Sequence, residues 1–362
     1  MLVNTEDIEE LMDKDKKGIL QAESITECVS GITQNIRSYN TEGGEDTLYK
    51  LKRLCKKKTM LEETAVMTGN IGMHHFYLND TKKAVRHLDE SIGIARAENL
   101  YNTLVSLLSD KGLVCFYDLK YNMAKKLFLK AFELLPLADK LDRRTMHVLY
   151  YRTGMLYCYM KDYDNSLLLL SKAFEYAETV DEKGCVILNI GMNYRRQVLY
   201  KEALREYNKA LELYGENYDV EKSHIYNNIA NVYMDMEEHK TALENINKAF
   251  ELLVCKDMSA FFIFFQTYTQ VKVLQGEYKK ELEKLKELIS QAKDFFIYKC
   301  FIIDGINIAV KTSREDKIIL FRLAEEITML IDKIGRGNKE YKKELNNFMS
   351  DICLSLKVLG SE

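Results

Sequence analysis

Three asparagines crowd one stretch of this 362-residue chain: Asn227, Asn228 and Asn231. They lie in Tyr226 to Ala249, which reads YNNIANVYMDMEEHKTALENINKA. Asn189 and Asn193 lie in a similar stretch upstream, Ile187 to Ala210, ILNIGMNYRRQVLYKEALREYNKA. A carboxamide offers two N–H donors and a carbonyl acceptor, so it pairs with either polar group of an extended peptide backbone. Repeated along a groove, such side chains hold a backbone without reading its side chains. Gln270 adds another amide, and Arg152 a planar cation suited to bidentate capture of a carboxylate. This is the chemistry of non-covalent recognition, and the sequence shows no sign of covalent catalysis. HExxH, GxSxG, Walker A and GxGxxG are all missing. His74-His75 has no acidic or cysteine partner at metal-ligand spacing, and the eight cysteines form no CxxC pair. Acidic pairs such as Glu9-Glu10, Glu62-Glu63 and Glu325-Glu326 are adjacent on helices and point apart. No enzyme, metal or cofactor is expected.

The elements that must position these amides are helices. Proline occurs once, at Pro136, glycine only 17 times, and 30% of residues are charged against 47% hydrophobic. Few breakers in such a composition predict a nearly all-helical chain. Laid over each other, the two stretches share one template. An aliphatic residue and a small one (Ile190-Gly191, Ile229-Ala230) are followed by Tyr194 or Tyr233, then Ala203 or Ala242, then Tyr207 or Ile246, then Ala210 or Ala249. The pattern resembles the tetratricopeptide (TPR) repeat, two antiparallel helices with small residues where they touch. The same template fits Gly72 (with Ala84, Leu88, Ser91), Gly112 (Ala124, Phe128, Ala131, closed by Pro136) and Gly154 (Ser166, Leu170, Ala173). A degenerate sixth copy falls on Phe265, Thr269, Tyr278, Leu285 and Leu288. A seventh helix pair is expected over 296–334 and a final helix over about 339–359. The expected fold is all-α: a right-handed α-solenoid of TPR-like pairs over 61–362 behind a small N-terminal helical domain over 1–60.

The indexed small residues are 40, 42, 37, 39 and 39 apart, longer than the basic TPR period of about 34. Long repeats of this kind behind a short helical domain are similar to the RRNPP family of Gram-positive quorum-sensing regulators. That resemblance implies a cytoplasmic protein that binds a short signalling peptide in a concave channel. In a TPR, the first helix of each pair lines that channel, through residues two and three before the small residue and one after it. By this placement the peptide-binding residues are Tyr151, Arg152, Asn189, Asn227, Asn228, Asn231 and Gln270, with Asn193 added one turn on, and Asn189, Asn227 and Asn231 match the family's asparagines best. Tyr157, Tyr194 and Tyr233 are expected in the core. The same scaffold also suits an adaptor that holds the tail of a partner protein.

The first 60 residues admit two readings. A helix over 5–17 is followed by one ending near Val29-Ser30, a turn at Ser30-Gly31, a second short helix over 32–39, and a leucine-rich helix from Glu45 to Lys58. This cadence resembles the Xre/Cro helix-turn-helix. The resemblance would place Thr33, Gln34, Asn35 and Arg37 in a DNA groove. The basic run containing Lys50, Lys52, Arg53 and Lys56 to Lys58 would then neutralise phosphates. Such readers bind duplex DNA as dimers, and the apolar run 260–265 (AFFIFF) is the candidate homodimer interface. The other reading is a helical cap with a solvated lysine face. A net charge of -3 gives no global reason for nucleic acid binding. No apolar run is long enough to span a membrane, and the scattered cysteines fit reduced, buried thiols.

Overall fold

In the computed structural model, residues 5–37, 44–78, 80–139, 141–215, 218–252, 263–264, 267–268 and 271 are described. Among them the regular structure is helical. The sixth and seventh copies, the final helix and Gln270 lie outside the described residues. The chain divides into two compact units, 1–193 and 194–362.

The first unit opens with three helices, α1 (Thr5–Lys16), α2 (Ala22–Arg37) and α3 (Gly44–Lys57). Three helix pairs follow: α4 (Leu61–Tyr77) with α5 (Thr81–Ala97), α6 (Tyr101–Tyr117) with α7 (Tyr121–Leu134), and α8 (Arg143–Tyr159) with α9 (Tyr163–Tyr176). The helix α10 (Val180–Arg196) begins the fourth repeat. The second unit holds α11 (Tyr200–Tyr214) and the pair α12 (Asp219–Asp235) and α13 (His239–Leu252).

First and second helices of a pair have different burial for a simple reason. The first helix is covered on several sides, so α4 is buried without a break from Met67 to His75. The second helix covers one side and buries a single stripe at i, i+4 and i+7, the spacing of one helical face. That stripe is Ala84, Leu88, Ser91 in α5, Ala124, Phe128, Ala131 in α7, Ser166, Leu170, Ala173 in α9 and Ala242, Ile246, Ala249 in α13. The small residue opposite it is required by contact distance. A Cβ added at Gly112 would lie 2.5 Å from the Phe128 ring, and one at Gly154 would lie 2.9 Å from Leu170. At Gly72 it would meet Leu88 at 2.9 Å and the Ala84 carbonyl at 3.1 Å.

The turns repeat as faithfully as the helices. Among the described residues, six turns carry a residue other than glycine with positive φ: Thr59, Asn99, Leu119, Lys161, Val198 and Glu237. In each, the following N–H reaches back to a carbonyl of the last turn, as Met60 to Cys55 and Leu199 to Tyr194 do. This is the Schellman helix stop, in which the left-handed position favours glycine or asparagine. Among these six only Asn99 conforms. Val198 is costly, since a β-branched residue at φ 65° crowds its own carbonyl, and the residue is 65% exposed, so little is gained by burial. Val198→Gly should therefore raise stability by about 1 kcal/mol despite glycine's greater unfolded freedom. A urea midpoint that fell instead would show Val198 to make a contact worth more than its strain.

Two expectations about the N-terminus are corrected. The helix α2 runs unbroken through Ser30-Gly31, where a turn was expected, so the helix-turn-helix does not form. Ile25, Val29, Ile32 and Ile36 are all buried along it, and their helical spacing rewards one continuous helix. The boundary at residue 60 is not a break in the core either. Ile8, Ile25, Leu48 and Leu51 belong to the same apolar cluster as Met67, Ile71 and Leu88, and both α2 and α3 pack on α4.

Candidate peptide-binding site

A cleft of about 250 Å³ opens in the first unit. Its walls come from the first helices of successive pairs: Tyr77 from α4, Ser109 and Asp110 from α6, Arg144 to Arg152 from α8, and Asp181 to Cys185 from α10. This is the face on which the repeat template places binding residues, and Tyr151 and Arg152 both line it.

Arg152 is not a waiting cation. Its Nη1 donates to Asp110 Oδ1 at 2.7 Å and to Ser109 Oγ at 3.1 Å, with the Arg152 and Asp110 side chains only 13% and 18% exposed. The expected bidentate carboxylate receptor is thus an internal ion pair that presents a fixed dipole to the cleft. Tyr151 stacks on His147, ring centroids 5.8 Å apart and 13° from parallel. Because the Ala173 carbonyl can only accept, His147 Nδ1, 2.9 Å away, carries a proton. Glu182 stands beside them. Burial works against its ionisation, but hydrogen bonds from the N–H groups of Glu178 and Thr179 outweigh that and hold its carboxyl below the usual range.

Asn189 is half-buried, and its Nδ2 donates to Tyr151 Oη at 2.8 Å and to the Cys185 carbonyl at 2.9 Å. Its amide is thereby oriented through both Nδ2 hydrogens. In the second unit Asn231 repeats the arrangement: Nδ2 donates to the Asn227 carbonyl at 2.9 Å and to Thr267 Oγ1 at 3.4 Å. Asn227 is 5% exposed, and its Oδ1 is buried without a hydrogen-bond partner. Asn228 is half-buried. Asn193 does not belong to a binding set. It is fully buried and donates to the Tyr163 carbonyl at 3.3 Å, fastening α10 to the start of α9. Tyr157, Tyr194 and Tyr233 are half-buried rather than core.

Sequence reasoning missed Asp110, although a signal was present. Asp110 precedes Gly112 by two residues, as Arg152 precedes Gly154, Asn189 precedes Gly191 and Asn228 precedes Ala230. Asn70 holds this place before Gly72, where it donates to Thr33 Oγ1 at 2.8 Å.

Of the N-terminal residues expected on DNA, Thr33, Lys50 and Arg53 are engaged elsewhere. Thr33, besides accepting from Asn70, donates to the Val29 carbonyl, so it faces α4. Gln34 is exposed but lines a cleft with Asp7, Glu10, Lys14 and Glu27, whose net negative charge repels phosphate. The side chains of Asn35 and Arg37 lie outside the described residues. Lys50 and Arg53 both meet Asp46, at 2.8 and 3.9 Å, Lys52 pairs with Glu90, and Lys57 and Lys58 converge on Asp15. Cys28, Cys55, Cys115 and Cys158 are buried, and burial pushes the Cys28 and Cys55 thiols up to about 12, whereas Cys185 is exposed at the cleft. Phe264, from the expected dimer interface, is buried with Ala230, Ile246 and Ala249.

Residues 223–252 match the tetratricopeptide repeat family model. The structure is similar over 89% of its length to 98% of RapI in its apo form, with a TM-score of 0.58 at 16% identity. It is also similar over 78% of its length to 99% of a tetratricopeptide repeat protein from Parabacteroides merdae, with a TM-score of 0.53 at 13% identity. The chain has a TPR fold. At such identities the likeness shows the fold alone, and no curated protein shows a sequence match. Among the described residues, no helix is long and apolar enough to cross a membrane.

Proposed function

We propose that this TPR chain is a peptide-binding regulator whose first-helix face holds a short signalling peptide or the extended tail of a partner protein. The observation that carries the reading is the cleft walled by α6, α8 and α10, whose lining Tyr151 fixes the amide of Asn189 on the same face of α10. Asn231 is held in the same way in the second unit. The Asn189 carbonyl accepts from a backbone N–H group, so the ligand is held there largely without regard to its side chains. The N-terminal bundle contacts a protein rather than DNA: α2 lacks the turn of a DNA reader, and most of its neighbouring lysines are already paired.

The test is fluorescence anisotropy of the full chain with labelled short peptides, including those encoded by neighbouring reading frames, and with labelled duplexes at two salt concentrations. Asn189→Ala should weaken peptide binding about tenfold, the value of one hydrogen bond to a buried partner. Peptides that bind neither protein, or both equally, would sink the reading. Salt-sensitive duplex binding would overturn the assignment of the N-terminal bundle.

A further inference from the structure

Three histidines that play no part in the cleft meet where α3 rests on α4 and α5. His75 and His87 stack face to face, with ring centroids 5.6 Å apart and planes 11° from parallel. His74 meets His75 edge-on at 5.9 Å. All three are buried, at 4%, 1% and 3% exposure for His74, His75 and His87. Buried nitrogens without a hydrogen-bond partner remain on each: His74 Nδ1, His75 Nε2 and His87 Nδ1.

The surroundings define the protonation state. From α3, Tyr49 Oη lies 2.9 Å from His87 Nε2, and Glu45 Oε1 lies 3.5 Å from His75 Nε2. From α5, Arg86 Nη2 stands 3.5 Å from the same His87 Nε2, and Glu90 Oε2 lies 3.6 Å from His87 Nδ1. Lys52 of α3 pairs with Glu90 and adds its charge beside His87, while Asp80, in the turn before α5, interacts with His75. An arginine can only donate, so Nε2 of His87 must be the acceptor. The Tyr49 hydroxyl then donates to it, and the ring proton sits on Nδ1, toward Glu90.

We propose that this histidine stack is an acid-sensitive latch, holding the N-terminal bundle on the first helix pair while its imidazoles are neutral and loosening when they take up protons. A proton on His87 Nε2 removes the acceptor that Tyr49 uses and places two cations, imidazolium and Arg86, 3.5 Å apart. A second proton on His75 would set like charges face to face in the stack. Glu45 and Glu90 oppose this only partly, being about half exposed and, for Glu90, already paired with Lys52. The ordinary values agree with the geometry. Burial, then the charges of Lys52 and Arg86, hold His87 below 6.5, and burial, then His75, does the same to His74. A histidine depressed in the folded state contributes stability that is present in full above the unfolded value and is lost as pH falls below it.

Hydrogen exchange of the full chain at about pH 7.5 and 5.5, corrected for the intrinsic rate, reads the latch directly. Protection of α3 should fall about tenfold for each imidazole forced to charge, while α12 and α13 change little. In His87→Gln, whose amide oxygen still accepts from Tyr49 but cannot take a proton, the loss should shrink. Equal α3 protection at both pH values, or an undiminished loss in His87→Gln, would overturn the proposal. If that variant does not fold, the ring resonances of the wild type decide. Depressed titration of His87 supports the latch, and titration at or above the free imidazole value refutes it.

Discussion

Phe128→Ala should destabilise the first unit by about 3–5 kcal/mol, the usual cost of emptying an aromatic site in a packed core. The ring is fully buried, and it fills the space that Gly112 leaves by having no Cβ. A void on that scale cannot collapse, because both neighbours are helix backbones held by their own hydrogen bonds. The reciprocal change, Gly112→Val, should cost about 1–3 kcal/mol by overpacking. If the two residues form one complementary contact, the double variant will be less destabilised than the sum, since valine methyls enter the vacated volume. Urea unfolding of the four proteins completes the cycle. Additive losses would mean that Gly112 and Phe128 are not the paired small and large residues of the repeat.

The second large effect belongs to the cleft. Arg152→Ala should lower stability by about 2 kcal/mol and weaken peptide binding as well. The first loss arises because Asp110, 18% exposed, keeps its charge and loses its partner. A fully buried pair broken this way costs about 3–5 kcal/mol, and the residual exposure lowers the figure here. Replacing both members by apolar residues of similar size, Arg152→Met with Asp110→Leu, removes the stranded charge and should restore most of the stability. Peptide affinity should stay low in that double variant, because the dipole facing the ligand is gone. Recovery of stability with full affinity would show the pair to be structural only. Chemical unfolding and anisotropy on the same samples separate the two results.

Much of the repeat architecture was legible because it depends on residue size at fixed spacing. A glycine or alanine opposite a bulky residue and two small ones can be read directly, and Gly72 with Leu88 and Gly154 with Leu170 meet as their spacing requires. The side of the first helix that lines the cleft was equally legible at Tyr151 and Arg152. The state of those side chains was not. Arg152 reads as an available cation until Asp110, 42 residues earlier, is brought within 2.7 Å of it. Asn193 reads as one more amide until its neighbours bury it completely. Each depends on a partner from another repeat, and no local pattern names that partner.

The N-terminus shows the same division more sharply. The helical content of 5–37 and 44–57 follows from apolar residues at helical spacing, and the sequence alone determined it. Whether Ser30-Gly31 would turn was decided by tertiary packing. Val29, Ile32 and Ile36 gain more by lying along α4 as one continuous helix than the serine and glycine lose by staying helical, a loss of about 1 kcal/mol for the glycine. The lysines of α3 were likewise visible as a basic run, but Asp15 and Glu90 reach them only through the fold. Periodicity and side-chain volume act along the chain, so the sequence settled the repeats and their packing faces. Charge pairing and amide orientation act across it, so only the tertiary structure decided which polar groups remain for a ligand.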